Sequence, residues 1–207
     1  MARSAEVKGP EAIASFTSDL FKPREKDNGK KQYGVTLLWP KSTDLKALKD
    51  IAVSVMTEAW GDKAIQMFKD GLIKSPFLDG DGKQGQSKKS GERHKGYEGK
   101  TFIRCTSGGD YKPTVVDRKR NPVVSVEGIP SGSRVIPVVN ASTWDDPKNG
   151  KGVSFGISLL QVTHVATGDE ILGGQGGADP NEHFEELPDE KAPAETKTGA
   201  GASGLFD

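Results

Sequence analysis

Alternating hydrophobic and polar positions predict a chain built mainly of β-strands. Strands are expected over residues 12–21, 33–39, 97–106, 114–116, 122–126, 133–144 and 153–165. In the first of these, Ala12, Ala14 and Phe16 share one face. The Asn28-Gly29 dipeptide in the polar turn that follows is a good hairpin signal. The last two strands flank a turn rich in Asp, Gly and Lys, and they form the clearest long hairpin in the chain.

The one region with helical periodicity lies between the second and third predicted strands. Apolar residues recur at helical spacing from about residue 43 to residue 60, at Leu45, Leu48, Ala52, Val55 and Ala59. A second short helix is expected over residues 63–69. A single helical insertion at about 43–70 among seven strands favours a small β-barrel or sandwich over a doubly wound α/β sheet. We expect residues 1–172 to form this one domain.

The C-terminal segment differs from the body in composition and in charge. Residues 173–207 are rich in Gly, Ala, Pro, Glu and Thr, which predicts a disordered tail. The chain has no net charge, but residues 176–207 hold two basic and eight acidic residues, so the tail carries −6 and the body +6. Such a body suits a polyanionic ligand, and such a tail can imitate that ligand.

The tail ends in an apolar pair, Leu205-Phe206, followed by Asp207. Apolar residues do not make a segment more soluble, whereas they can bind a partner protein as the anchor of a docking peptide. The alternative is that the tail is an inert solubiliser. The sequence therefore predicts a partner-binding site at residues 205–207.

Several classes of site are not expected. The single Cys105 allows no intramolecular disulfide and fits a reducing cytoplasm. His94, His164 and His183 are scattered without metal-ligand spacing, and no carboxylate pair is singled out, so we expect no metal, no cofactor and no catalytic residue. The chain has no apolar run of about 18 residues and no apolar segment near Met1, so neither a membrane span nor a signal peptide is expected.

Basic residues concentrate in the middle of the chain. Residues 83–120 contain eleven basic and four acidic residues, a net charge of +7. Three aromatic residues, Tyr97, Phe102 and Tyr111, are interleaved with them. Cations that contact phosphates beside rings that stack bases are typical of a surface for single-stranded nucleic acid. The predicted phosphate contacts are Lys88, Lys89, Arg93, Lys100, Arg104 and Lys112.

The predicted strand through Phe102 is the sharpest element of this surface. Its period of two places Thr101, Ile103 and Cys105 on a core face, and Lys100, Phe102 and Arg104 on the opposite face. An outward Phe between two cations suits a base with a phosphate on either side, and such stacking contributes about 1–3 kcal/mol per base. The alternative is that Phe102 packs under the helical insertion while the cations only solvate the rim.

For the other residues of this surface the sequence allows two interpretations. Tyr97 and Tyr111 fit base stacking and a strand edge equally well. Lys88-Lys89 fit a soluble loop or a basic arm that orders on binding. Trp39 and Trp144, at strand ends, are expected in the core rather than on the ligand.

Several stretches resemble one protein family. They are Leu37-Leu38-Trp39-Pro40, the helix that follows, residues 141–144, residues 152–161 and the C-terminal Gly204-Leu205-Phe206-Asp207. In these stretches the chain resembles bacteriophage single-stranded DNA-binding proteins. The resemblance implies an OB-like β-barrel, so the expected fold is mainly β, with the helical insertion and the disordered acidic tail. One departure is that the acidic cluster lies upstream of the last dozen residues.

The resemblance also implies a function without catalysis. We expect sequence-independent coating and protection of single-stranded DNA in phage replication, recombination and repair, in the cytoplasm of a bacterial host. The tail is expected to recruit replication proteins such as DNA polymerase, and a homodimer is left open. The alternative is a non-catalytic virion or scaffold assembly protein. A small nuclease is a weaker alternative, because the acidic residues of the basic segment have no metal-binding spacing.

Overall fold

The computed structural model describes residues 1–26 and 29–172. Asn28 of the predicted hairpin turn lies outside the described residues. The same holds for the predicted tail at 173–207, with its docking residues Leu205, Phe206 and Asp207.

Ten strands and two α-helices make up the described chain. The strands are β1 (Val7–Lys8), β2 (Ala12–Ser15), β3 (Arg24–Glu25), β4 (Lys31–Pro40), β5 (Ile73–Lys74), β6 (Leu78–Asp79), β7 (Lys100–Gly108), β8 (Thr114–Val116), β9 (Arg134–Asp146) and β10 (Gly150–His164). The helices are α1 (Lys46–Trp60) and α2 (Ala64–Lys69). Short 3-10 turns cover Thr17–Leu20, Gly61–Lys63, Lys83–Gly85, Val126–Gly128 and Gly168–Glu170.

Five of these strands close into a barrel. Each strand pairs with the next in the order β2, β4, β7, β10, β9, and β9 returns to β2. All of these pairings are antiparallel except β7 with β10, where Phe155 lies opposite Cys105 in a parallel register. This is the five-stranded Greek-key arrangement of an OB fold, so the predicted fold class is confirmed.

The long hairpin is formed by β9 and β10, as predicted. Its register runs from Asp146 opposite Gly150 to Arg134 opposite His164. The Asp146 carboxylate accepts hydrogen bonds from the backbone amides of Lys148 (2.9 Å) and Asn149 (2.8 Å). A carboxylate that accepts backbone amides in this way stabilises a tight turn.

The helical insertion joins β4 to β7 through β5, β6 and a long loop. Leu48, Ala52, Val55 and Met56 are buried along one side of α1, and this side packs against β9. Spacings of three and four residues put these side chains on one helix face. The prediction of an insertion at about 43–70 is confirmed, with α1 starting at Lys46 and α2 ending at Lys69.

The barrel interior is filled from the inward faces of its strands. Val35, Leu37 and Trp39 of β4 are buried beside Ile103 and Cys105 of β7. The Trp39 indole donates a hydrogen bond to the Pro10 carbonyl oxygen (3.2 Å), so its one polar atom is satisfied. The prediction that Trp39 belongs to the core is confirmed, and Trp144 is half-buried.

A second, smaller cluster lies on the outer face of the barrel. Phe102 is fully buried there against Leu38 and Tyr97, with Ile13 and Leu78 packed around them. The prediction that the Phe102 ring is exposed on the outer face is therefore wrong, and Tyr97, for which stacking and a strand edge were both open, is buried as well. The alternative that the helical insertion covers Phe102 is also wrong, because Tyr97 and Leu78 cover it. Alternation assigns Phe102 to the outer face correctly, but it does not show that a later segment returns over that face.

Three predicted strands differ most from the structure. The first strand ends at Ser15 instead of continuing to residue 21, because the backbone of Phe16 turns into the left-handed region. The third begins at Lys100 and not at 97. The predicted strand at 122–126 is wrong, since Pro122 forms only an isolated bridge with Val116.

Replacing Phe102 by Ala should destabilise the fold. Because its ring is fully buried, Phe102→Ala should lower the free energy of unfolding by about 3–5 kcal/mol. Phe68→Ala is the matched control, since Phe68 on α2 is 36% exposed and should cost far less. Urea denaturation followed by circular dichroism measures both variants. Equal costs for the two would contradict the burial of Phe102.

Candidate nucleic-acid interface

The outer face of β4, β7 and β10 is polar and open where the small cluster ends. Two adjoining concavities cross it, and Thr106 lines both of them. We call the first the Lys88 groove, with a volume of about 650 Å³. It is lined by Arg24, Glu25, Lys26, Gln32, Tyr33, Gly34, Lys88 and Thr106. Its lining holds three cations and one carboxylate, and the Asp19 carboxylate pairs with Arg24 beside it, so the groove keeps a net positive charge that attracts a polyanion.

The second concavity, here called the Tyr111 groove, has a volume of about 820 Å³. Residues of the N-terminal segment, the β7–β8 connection and the outer faces of β9 and β10 line it, including Arg3, Glu6, Asp110, Tyr111, Lys112, Asn140 and Ser158. Tyr111 is 76% exposed, so its ring is free to pack on a ligand. The Lys112 ammonium lies 5.5 Å from the centre of the Phe21 ring, a cation–π distance.

A buried amide positions Arg3 on this surface. With the Asn140 amide oriented to match its partners, its oxygen accepts hydrogen bonds from Nη2 (3.2 Å) and Nε of Arg3. Asn140 lies against Gly156, where an added Cβ would come within 2.3 Å of the amide. Glycine is therefore required at 156 for Asn140 to reach under the groove and hold the guanidinium.

The segment that covers the small cluster, residues 80–97, is held down by charge. We call it the covering segment. The Asp81 carboxylate contacts Lys41 (2.8 Å) and Arg93 (3.7 Å), and it accepts a hydrogen bond from the Gly99 amide (3.1 Å). Lys41 also contacts Asp79 (2.8 Å). The hydrogen bonds from Lys41 are the main reason why the pKa values of both carboxyl groups are lowered.

The covering segment also meets the barrel through Arg104 and Tyr97. The Arg104 guanidinium donates to the Gln84 carbonyl oxygen (3.0 Å) and lies 5.5 Å from the centre of the Phe102 ring. The Tyr97 hydroxyl donates to Ser15 (3.4 Å), and burial raises the pKa of this phenol. Tyr97 and Phe102 therefore support the surface from beneath, while Arg104 lies on it.

The predicted site residues fall into three groups. Lys88 lines one groove, and Tyr111 and Lys112 line the other. Arg93 and Arg104 are exposed but tied to Asp81 and Gln84, Lys89 is exposed, and Lys100 is half-buried. Tyr97 and Phe102 lie beneath the surface.

Sequence reasoning missed four lining residues: Arg3, Arg24, Lys26 and Tyr33. The basic residues at 22–31 are visible in the sequence, but they were interpreted only as a polar turn. That turn reaches the groove because β3 pairs with β4, with Arg24 opposite Gln32. The basic charge of residues 22–31 was therefore visible in the sequence, whereas the proximity of Arg24 and Lys26 to Lys88 was not.

Other chemistry has no support in the described part of the chain. No group of three or more His, Cys, Asp or Glu residues there is placed to hold a metal ion. Cys105 is buried in the core, which raises the pKa of its thiol. None of the described helices combines the length and apolar character needed to cross a bilayer.

An OB barrel with an open, cation-lined outer face defines the oligonucleotide-binding class of this fold, in which the faces of the second and third barrel strands hold the ligand. A family model described as Enterobacter phage Enc34, ssDNA-binding protein, matches residues 8–195. The chain belongs to this family of phage single-stranded DNA-binding proteins, as predicted. The proteins of this family are not enzymes, which agrees with the expectation of no catalysis.

Solved structures share the fold. The single-stranded DNA-binding protein of bacteriophage Enc34 in complex with ssDNA is 21% identical, with a TM-score of 0.58 over 78% of this chain and 88% of that one. The bacteriophage T7 single-stranded DNA-binding protein gp2.5 is 18% identical, with a TM-score of 0.57 over 89% and 97% of the two chains. Comparison with curated protein sequences gives no match.

Removing the charge of Asp81 should loosen the covering segment. In Asp81→Asn, Lys41 and Arg93 lose a common carboxylate, so backbone amides at 82–97 should exchange faster while those of the β9–β10 hairpin do not change. Hydrogen–deuterium exchange at neutral pH measures this. Asp62→Asn, at an exposed position beside the helices, is the control. Unchanged exchange at 82–97 would show that the ion pairs do not hold the segment.

Proposed function

We propose that this protein coats single-stranded DNA without sequence preference and protects it during phage DNA replication and recombination. The observation that carries the proposal is the Lys88 groove, a cation-lined concavity on the outer face of β4 and β7. Membership of a phage single-stranded DNA-binding family supports it. So does the fold shared with the Enc34 protein, whose solved structure holds ssDNA.

Cations on the outer face contact the phosphates. From the predicted set, these are Lys88, Lys89, Arg93, Lys100, Arg104 and Lys112, and the grooves add Arg3, Arg24 and Lys26. Phosphates are the same at every nucleotide, so these contacts bind any sequence. Arg93 has to exchange Asp81 for a phosphate, whereas Arg104 can keep its neutral partner, the Gln84 carbonyl.

Tyr111 is the predicted stacking residue that the structure leaves exposed. A base on its ring gains affinity regardless of its identity, because every base has a flat face. Phe102 and Tyr97, also predicted to stack, are buried against each other, with Tyr97 as the last residue of the covering segment and Phe102 beneath it. A base reaches either ring only if that segment opens.

We propose that residues 173–207 recruit replication proteins, such as a DNA polymerase, in the host cytoplasm. The support is in the sequence: a net charge of −6 over 176–207 and a terminal Leu205-Phe206-Asp207. The same charge makes the segment a weak competitor for the cations of the body. Single-stranded DNA then displaces it and frees Phe206 for a partner. Homodimerisation is compatible with this role.

Fluorescence anisotropy of a labelled 30-nucleotide oligo(dT), with matched duplex as competitor, tests the proposed function. We expect tight binding that duplex fails to compete, and a loss of affinity with salt at about 0.7 log units per log unit of salt for each phosphate neutralised. Lys88→Ala should reduce this slope by about 0.7, the contribution of one phosphate contact, whereas Lys69→Ala on α2 should not change it. Equal binding of duplex, or no binding, would favour a virion or scaffold protein.

Deleting residues 173–207 should raise the affinity for oligo(dT) at low salt, because an intramolecular anion no longer competes for the cations. The gain should disappear at high salt, where both competitors are screened. Anisotropy titrations at both salt concentrations measure it. Unchanged affinity at low salt would show that the segment does not compete. A pull-down of purified phage DNA polymerase with and without residues 205–207 separately tests recruitment.

A further inference from the structure

Phe16 lies where the sequence pattern places a core residue, but its ring is at the surface. Ala12 and Ala14 of β2 are buried in the barrel, and continued alternation would bury Phe16 with them. Instead, Phe16 has φ 57° and ψ 43°, and 41% of the residue is exposed. The next residue, Thr17, is buried in its place.

This conformation is unfavourable for a phenylalanine. The left-handed region crowds the Cβ against the backbone, so Gly, Asn and Asp usually occupy it. Phe16 and Arg120 are the two non-glycine residues with positive φ among the described residues. A glycine would make the turn into the 3-10 segment Thr17–Leu20 at lower cost. Strain of this kind that persists in a fold is a reason to look for a function of the side chain.

The Phe16 ring is held at the surface by a contact with one other ring. The His94 ring contacts it edge to face, with 5.3 Å between centres and an interplanar angle of 90°. His94 in turn contacts Tyr97 at 5.3 Å, and Tyr97 contacts Phe102 at 5.0 Å. Burial, with a smaller effect of Arg104, lowers the pKa of His94. The His94 ring therefore packs on one side of Phe16, and 41% of Phe16 stays exposed to solvent.

The strand register places Phe16 next to the proposed DNA path. Ser15 pairs with Thr36, and Thr36 pairs with Arg104. Two residues further along β4 and β7, Gly34 pairs with Thr106, and both line the Lys88 groove. Phe16 follows Ser15 directly. Its backbone therefore lies about two strand spacings, roughly 10 Å, from strand β7 at Arg104.

We propose that Phe16 is a base-stacking residue, presented beside the Lys88 groove by its left-handed backbone. The inference rests on the proposed function, since it names a further contact of the same interface. A base on the Phe16 ring would leave its phosphates within reach of Arg104 and of the cations of the covering segment. Stacking on a ring of this kind is tolerant of sequence.

Phe16→Gly separates stacking from folding. Glycine removes the ring and adopts the same backbone without strain, so thermal stability should be kept or increased. Affinity for oligo(dT) should fall about 5- to 150-fold, with an unchanged salt slope. Phe16→Trp should restore binding. Phe68→Ala, which removes an exposed ring on α2, should bind as the parent protein does.

The outcomes separate this inference from the function on which it rests. If the parent protein binds oligo(dT) and Phe16→Gly binds equally well, the stacking role is wrong and the function stands. If the parent protein does not bind, the proposed function fails. If Phe16→Gly loses stability together with affinity, photocrosslinking of the parent protein to oligo(dT) containing 5-iododeoxyuridine decides. An adduct at Phe16, localised by mass spectrometry, supports stacking, and its absence overturns it.

Discussion

Barrel closure through the parallel contact between β7 and β10 is the constraint on which the rest of the structure depends. Without the pairing of Cys105 with Phe155, β10 would stay in its hairpin with β9 and the sheet would remain open. Closure consumes the inward side chains of all five strands in one core. The outer face of β4, β7 and β10 is not part of this core, so it is available either for packing by another segment of the chain or for binding a ligand. Part of that face, around Phe102, is covered by Tyr97 and Leu78, and the two grooves cross the part near Thr106.

The cations of the proposed interface are of two kinds. Some are already paired with carboxylates, as Arg93 is with Asp81. A phosphate that binds such a cation replaces one anionic partner by another, so the net gain in binding free energy is small. Others are held by neutral groups, as Arg104 is by the Gln84 carbonyl and Arg3 by Asn140, so their charge is oriented but not neutralised. The second kind offers DNA a prepared contact at lower cost. The proposed binding energy therefore depends on how the fold pairs each cation, beyond the net charge.

Local patterns predicted much of the fold, and two phenylalanines show where they failed. The β9–β10 hairpin and the α1 insertion were predictable because their signals, alternation and a period of 3.6, act over neighbouring residues. Alternation put Phe16 on the same face as Ala12 and Ala14, which the structure buries, and Phe102 on the outer face, yet Phe16 is exposed and Phe102 is buried. For Phe102 the reason is the cover supplied by Tyr97 and Leu78; for Phe16 it is a single backbone turn. The alternation of residues along β2 and β7 shows neither the cover over Phe102 nor the backbone turn at Phe16.

Periodicity and charge along the chain were enough to predict the mainly β class, the one helical insertion and the basic segment, and short matching stretches were enough to show the resemblance to phage single-stranded DNA-binding proteins. Which rings and cations reach the surface together depends instead on the tertiary fold. Lys88 lines one groove with Arg24 and Lys26, and Arg3 is hydrogen-bonded to Asn140, although more than 50 residues of chain separate the partners in each case. Such meetings depend on how the barrel closes and which segment returns over it, and local residue patterns carry no information about either.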